Sequence, residues 1–346
     1  MKKVPFKVSA RAARLIGREN VATSQGAVTE LVKNAYDADA GACAIFFLRR
    51  HPSVPMTLSA EDYKGLSAVL KDIDKFYSDS GGTFELVDGL EDEDTAALAK
   101  GLDELVDLWI VDNGNGMSST IIEDSWMVIG TDAKEVKAKS EGGRILTGAK
   151  GIGRFALDRL GQECELYSSE KASKEVVHWV VDWGDFEGEG KIIGDVTAVL
   201  ETETRSYHDV LTEIGLEALL PTQMPARDDN VTELSFVHGT AIGISALHDV
   251  WDQRDSIKLK ETLEALLPPK DRGDFNIYVY DHRSPEASGW IDNFPPDQFD
   301  YKLHADVRAD GTVAIKIHRH HCFNNREGIQ YRKLLVFHVT NKAVRF

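Results

Sequence analysis

Apolar and polar positions along this chain fall into two periods, and each marks its own elements. Between residues 24 and 41, Val28, Leu31, Val32 and Ala35 recur at helical spacing, while Glu30, Asn34 and Asp37 stand at i, i+4 and i+7 on another arc. The pattern predicts a helix with one buried stripe and a narrow face carrying an acid, an amide and a second acid, capped by Ser24 and ended at Gly41. A shorter helix is predicted over 8–20, with Ala10, Ala13, Leu15 and Ile16 apolar and Arg11, Arg14 and Arg18 exposed. Apolar runs predict strands at 42–48, 105–111, 176–183, 195–201, 232–237 and 240–244, and helical patterns fall at 119–128, 155–160 and 207–220. Beyond Pro268-Pro269 the texture changes to strands at 275–280, 301–307 and 313–318, the last two joined by the turn dipeptide Asp310-Gly311. The pattern places a domain boundary near 250–270.

Residues 51–104 break this regularity. Pro52, Pro55 and Gly81-Gly82 punctuate the stretch, and Glu91-Asp92-Glu93-Asp94 forms an acidic run, which reads as a mostly solvated insertion. The 346 residues suffice for one large or two ordinary domains. A net charge of −17 argues against coating nucleic acid by bulk electrostatics, though not against a local basic patch. Three widely spaced cysteines, Cys43, Cys164 and Cys322, give neither a disulfide framework nor a zinc spacing. With no signal-like N-terminus and no apolar run of membrane-spanning length, the expectation is a soluble cytoplasmic protein without a membrane partner. The apolar stretch at 334–339 lies close to the last residue, which suggests a fragment of something longer.

Four stretches carry candidate chemistry. Asp112-Asn113-Gly114-Asn115-Gly116-Met117 closes a buried strand with a carboxylate and two glycines, an arrangement that lets backbone approach a ligand, although loops of this composition are also common turns. It lacks the third glycine of a dinucleotide fingerprint, Ser119 standing there instead. Gly148-Ala149-Lys150-Gly151-Ile152-Gly153 precedes a helix, where free amides and the positive end of the dipole favour an anion such as phosphate. It is not a Walker A loop. Lys134, Lys137, Lys139 and Arg144 lie in a polar stretch, 134–144, suited to a loop that closes over phosphates. Thr240, alone, is an ordinary hydroxyl at a strand start.

Taken in order, these stretches resemble the GHKL ATPase superfamily of gyrase B, heat-shock chaperones of ninety kilodaltons, histidine kinases and MutL, with MORC proteins as further relatives. The resemblance covers roughly residues 8–250. It implies an α/β fold: a two-layer Bergerat-type sandwich, a mixed sheet with helices on one face, over residues 1–255 with the insertion 51–104. A smaller α/β, transducer-like domain would follow over 256–346. The resemblance further implies ATP and Mg²⁺ as cofactors. Glu30 matches the general base, Asn34 the Mg²⁺ ligand, and Asp37 a less central member of the same motif. Asp112 matches the adenine reader, with Gly114, Gly116 and Met117 beside the base and Thr240 in support. Gly148, Lys150, Gly151 and Gly153 match the phosphate-binding glycine box. Gly130-Thr131-Asp132-Ala133-Lys134 resembles a Gly-Thr-Ser-x-Lys run, with Asp132 replacing serine. A second-domain lysine reaching the γ-phosphate is not alignable; Lys333 and Lys342 are the candidates.

The implied activity is slow, Mg-dependent ATP hydrolysis driving a nucleotide-gated homodimer within a DNA-related or defence-related machine that engages DNA or a protein client. A second reading is phosphotransfer of the histidine-kinase type. Against it stand the acid at Glu30, where histidine kinases carry Asn, and the absence of an upstream helix pair; His318, His320 and His321 read as surface residues. A third reading is a nucleotide-binding module that does not hydrolyse.

Overall fold

The computed structural model describes residues 7–19, 21–128, 139–146, 155–227, 230–264, 266 and 275–291, together with the strands 301–307, 312–319 and 332–338. Residues Met1–Ile291 form one unit and Asp292–Phe346 another. The first helix, α1 (Ala10–Glu19), leads into α2 (Ser24–Asp37), which is the motif helix. Its cap is Thr23 rather than Ser24: the Thr23 hydroxyl accepts from the Gly26 amide at 3.0 Å. Extended backbone at Thr23 makes it the residue able to fold back over the free amides, whereas Ser24 is already helical and its hydroxyl donates to Asp249 at 2.5 Å. The helix ends at Ala38 and not at Gly41, because Asp39 takes the left-handed conformation that terminates it (φ 60°).

The main sheet contains β1 (Ala42–Arg49), β5 (Val106–Asp112), β6 (Gly161–Ser169), β7 (Val176–Asp182), β8 (Val199–Glu203), β11 (Gly239–Leu247), β12 (Asn276–Asp281) and β13 (Gly289–Trp290). Their order is β13-β12-β1-β5-β11-β6-β7-β8, with β12 parallel to β1 and the other pairs antiparallel. This is the expected mixed α/β sheet. Alternation along each strand sorts side chains to two faces. Cys43, Ile45, Phe47, Leu108, Ile110, Ile242 and Ile244 point to one, where they bury Val28, Leu31, Val32 and Ala35 of α2, Leu157 and Leu160 of the Phe155–Leu160 helix and Leu259 and Leu263 of the Gln253–Glu264 helix. Each such aliphatic side chain contributes about 1.5–3 kcal/mol by leaving water. Ala42, Ala44, Phe46, Val111 and Ala241 point to the other face and meet Tyr207, Val210 and Leu211 of the Tyr207–Glu213 helix. Helical cover is therefore not confined to one face as expected.

Three sequence expectations are corrected here. Residues 256–291, assigned to the second domain, belong to the first unit, because β12 and β13 complete its sheet beside β1. The insertion is packed rather than merely solvated. Its strands β2 (Thr57–Leu58), β3 (Tyr77–Asp79) and β4 (Phe84–Leu86) form a separate three-stranded sheet, and α3 (Ala60–Val69) and α4 (Asp92–Leu102) close a core of Leu58, Leu66, Ile73, Phe76, Tyr77, Leu98, Leu102 and Leu105. The acidic run caps and fills the first turn of α4, where negative charge meets the positive end of the helix dipole. Arg14, expected on the surface, is buried in an ion pair with the fully buried Asp158 at 2.7 Å. Smaller shifts move the expected strand 195–201 to Val199–Glu203 and the strand 232–237 to β10 (Asn230–Glu233), paired with β9 (Gln223–Arg227). The helix at 119–128 is one α turn, Ser119–Ile121, continued as a π-helix over Ile122–Trp126.

In the second unit, β14 (Tyr301–Val307), β15 (Thr312–Arg319) and β16 (Arg332–His338) make an antiparallel sheet, the first two paired as expected, while the expected turn Asp310-Gly311 lies outside the described residues. Lys333 falls on β16, and Lys342 lies outside the described residues.

Candidate functional site

Asp112 ends β5, the central strand at this edge, and its register partners are Cys43 of β1 and Thr240 of β11. Alternation turns its side chain toward the α2 face. The carboxylate is buried, and the Gly114 amide donates to its Oδ1 at 2.8 Å. Burial pushes the Asp112 pKa up to about 6, while hydrogen bonds from the Gly114 and Thr240 amides pull in the opposite direction. Among the described residues its donors are backbone amides alone, and a carboxylate so held keeps acceptor capacity for a ligand's N–H.

The loop after Asp112 is fixed from three sides. The Asn113 side-chain oxygen accepts from the Gly41 and Ala42 amides, both at 2.9 Å, and its amide donates to the Ser235 carbonyl at 3.2 Å. The Asn115 amide donates to the Ala38 carbonyl at 2.8 Å, joining the loop to the end of α2. His238 Nδ1 lies 2.7 Å from the Gly114 carbonyl. Gly116 has φ 70°, and a Cβ there would stand 2.0 Å from the Ser169 carbonyl oxygen, so only glycine lets the loop lie this close to β6. Gly239 has the same constraint at the start of β11, where a Cβ would stand 2.0 Å from the Asp112 carbonyl oxygen.

Ser168 was not evident from sequence. It is fully buried, accepts from the Met117 amide at 2.8 Å, donates to the Gly239 carbonyl at 3.1 Å and sits 2.9 Å from the Thr240 hydroxyl. It thus ties Met117, Gly239 and Thr240 into one wall. A serine on a strand carries no signal of its own; only the spatial closeness of β6 and β11 reveals it.

On α2, the buried face is the predicted one, and Glu30, Asn34 and Asp37 are half-buried. The Glu30 side chain is 38% exposed and pairs through Oε1 with Lys33 Nζ at 2.8 Å. The Asn34 amide is unpaired among the described residues. The carboxyl end of α2 and the Asp112 loop are brought together through Ala38, as just described. Of the other candidates, Lys134, Gly148, Lys150, Gly151 and Gly153 lie outside the described residues, as does the 130–134 run. Arg144, expected to close over phosphates, instead donates to the Tyr36 and Ala40 carbonyls at 3.0 and 2.8 Å and lies over the Tyr36 ring at 4.7 Å. The carbonyl end of α2 attracts its guanidinium.

Among the described residues, no group of three or more His, Cys, Asp or Glu side chains could hold a metal ion. An ion held mainly by a nucleotide's phosphates needs only one or two protein oxygens, and Asn34 fits that need. The under-coordinated Asp112 carboxylate fits an adenine amine in the same way. The buried acid at a central strand end, the glycine loop beside it and the polar face of α2 lie along one side of an α/β sandwich. Residues 99–212 match the family model described as Histidine kinase-, DNA gyrase B-, and HSP90-like ATPase. That match, over about a third of the chain, and the mixed sheet support the resemblance to the GHKL ATPase superfamily. The matched stretch contains Asp112, Gly114, Gly116 and Ser168; α2 precedes it and Thr240 follows it. No curated protein matches the chain. Among the described residues, no helix is long and apolar enough to cross a membrane.

Proposed function

We propose that this chain binds ATP with Mg²⁺ and hydrolyses it slowly, using the bond-breaking step to switch between conformations. The observation that carries the reading is the buried Asp112 carboxylate, to which, among the described residues, only two backbone amides at the strand end donate. Asp112 takes a hydrogen from the exocyclic amine of adenine; a guanine carbonyl in that place would face it acceptor to acceptor. Ser168 and Thr240 hold the wall beside the base, and Gly114 and Gly116 let backbone lie close to it. Asn34 offers its side-chain oxygen to the metal, and Asp37 supports the same face. Mg²⁺, when bound, neutralises charge on the phosphates. Glu30 accepts the proton of the attacking water. Lys134, Gly148, Lys150, Gly151 and Gly153 would cradle the phosphates through backbone amides and ammonium groups.

A nucleotide-gated homodimer in the cytoplasm, serving a DNA-related or defence-related machine with DNA or a protein as client, is the setting the superfamily suggests. Light scattering with ATP against ADP tests the pairing. The hydrolysis itself is tested by Glu30→Ala. Nucleotide binding is expected to persist while phosphate release falls at least about a hundredfold, the scale of general-base catalysis. Undiminished release would remove Glu30 from the role. One observation, the Glu30–Lys33 ion pair, favours a module that binds without hydrolysing, since it occupies one oxygen of the base. Wild-type protein that binds ATP but releases no phosphate over many hours would establish that second reading.

A further inference from the structure

Asp39 stands just past the end of α2 and takes part in none of the chemistry above, yet three hydrogen-bond donors converge on it. Ser140 Oγ donates to its Oδ1 at 2.5 Å, the Gly142 amide to its Oδ2 at 2.8 Å, and Asn115 Nδ2 to the same oxygen at 3.3 Å. These donors lie 76 to 103 residues away in sequence, so only the folded chain assembles them. Asn115 belongs to the Asp112 loop; Ser140 and Gly142 belong to the segment 139–146. Arg144 of that segment is seated on the Tyr36 and Ala40 carbonyls that flank Asp39, with its guanidinium over Tyr36 and, at 5.8 Å, over Phe275. Ser140 Oγ accepts in turn from the Arg144 amide at 2.9 Å, which closes the segment on itself. A Cβ on Gly142 would stand 2.6 Å from Asp39 Oδ1, so glycine alone permits this approach. Asp39 also holds its place at φ 60°, a conformation an aspartate accepts at some cost, which the surrounding bonds offset.

We propose that Asp39 is a positioning residue of the ATP site: its carboxylate clamps the carboxyl end of α2, the Asp112 loop and the segment 139–146 together, and so fixes Glu30 and Asn34 relative to bound adenine. The proposal rests on the assignment of that loop as an adenine site. The chemistry is suited to the task. One carboxylate accepting from a hydroxyl, a backbone amide and a side-chain amide makes a rigid three-way junction, and charge-assisted bonds are the stronger kind. The lever is α2 itself. The helix ends at Asp37, about two turns from Glu30, so a small rotation at its clamped end is carried along a stiff rod to the base. Misplacement of about 1 Å at a reacting group can cost two orders of magnitude in rate.

The decisive variants are Asp39→Gly, which removes the carboxylate while suiting the left-handed backbone, and Asp39→Asn, which keeps the shape and part of the hydrogen bonding. Three measurements are made on the full chain: hydrogen exchange at the Gly142 amide without nucleotide, adenosine affinity, and steady-state phosphate release. Asp39→Gly is expected to speed Gly142 exchange roughly ten- to a hundredfold, the scale of a lost charge-assisted hydrogen bond. Adenosine affinity should stay within about threefold, because Asp112 keeps its own donors. Turnover at saturating ATP should fall at least about tenfold. Asp39→Asn should lie between Asp39→Gly and wild type in exchange and in turnover. The proposal is overturned by unchanged Gly142 exchange, by loss of adenosine affinity in step with turnover, or by full turnover in Asp39→Gly. If wild-type protein releases no phosphate, the hydrolytic function fails, and the clamp is then decided by the exchange and adenosine measurements alone.

Discussion

Protonation of Asp112 should control adenine binding within an accessible pH range. In the ligand-free fold its carboxyl titrates at about 6, against 3.8 for an exposed aspartate. The folded state therefore holds this proton more tightly than the unfolded state does, and stability is lost as pH rises from 3.8 through 6. The loss at neutral pH is about 3 kcal/mol, from 2.2 pH units at about 1.4 kcal/mol each. A ligand that donates to the carboxylate recovers part of that cost, and only the ionised form is free to accept from every side. At pH 5 about one molecule in eleven carries the ionised form, so the affinity for a non-hydrolysable ATP analogue should fall about tenfold between pH 7.5 and 5. The phosphates titrate in the same range, with a second ionisation near about 6. Calorimetric titrations on wild type and Asp112→Asn at each pH remove that contribution by difference. The variant should bind weakly at every pH and lack the Asp112 part of the slope. Because asparagine carries no charge to bury, ligand-free Asp112→Asn should also unfold at higher temperature than wild type at pH 7.5. A wild-type-to-variant affinity ratio that is constant from pH 5 to 8, with no gain in melting temperature, would refute both the buried-carboxylate argument and the adenine assignment.

Two further predictions concern the scaffold. Arg50 bonds to Asp62 at 2.5 Å and to Asp107 at 2.8 Å, joining the insertion to β5, and Arg50→Ala should cost about 3 kcal/mol in urea unfolding, since it leaves the buried Asp62 carboxylate and the half-buried Asp107 without their cation. Burial pushes the Asp62 pKa up, but bonds from His51 and Arg50 outweigh it and hold it below 3.8. Its stabilising contribution is then present above that value and lost on further acidification, so Arg50→Ala should unfold at a higher pH than wild type in an acid titration; coincident acid transitions would contradict this. The buried Tyr207 hydroxyl has no hydrogen-bond partner among the described residues, and Tyr207→Phe should stabilise the protein by about 1–2 kcal/mol, measured by the same unfolding curves.

The motif helix and the strand leading to Asp112 were legible because each has a local signature: a 3.6-residue apolar period in one, a mostly apolar run broken only at Asp107 and followed by glycines in the other. The insertion was not legible because its core comes from short pieces. A helical pattern over 63–77 overlaps α3, but Leu58 lies on a two-residue strand, Tyr77 on a three-residue strand and Leu98 on a separate helix, so no single window shows the core they form together. The place of β12 was misjudged for a related reason. Pro268-Pro269 reads as a boundary, yet Asn276–Asp281 pairs in parallel with Ala42–Phe47, and parallel partners need long crossovers that sequence does not announce. Arg14 looked like an ordinary exposed position until the helix at 155–160 supplied Asp158.

Asp112 and Asp39 show why residue type alone could not separate a binding group from a structural one. Both are aspartates at the end of an element, and both neighbour the same loop. Asp112 is buried with two backbone donors, so burial prevails and its pKa rises to about 6. Asp39 is pushed up by burial too, but Ser140, Gly142, the Arg144 charge and Asn115 together outweigh it, and its pKa falls below the usual carboxylate value. A carboxylate already saturated with donors has little to gain from a ligand. One that is buried and short of donors destabilises its own fold until something brings an N–H to it. That difference is what the proposed roles rest on: Asp112 as the group that takes a ligand's N–H, Asp39 as the group that keeps the surrounding elements in place for it.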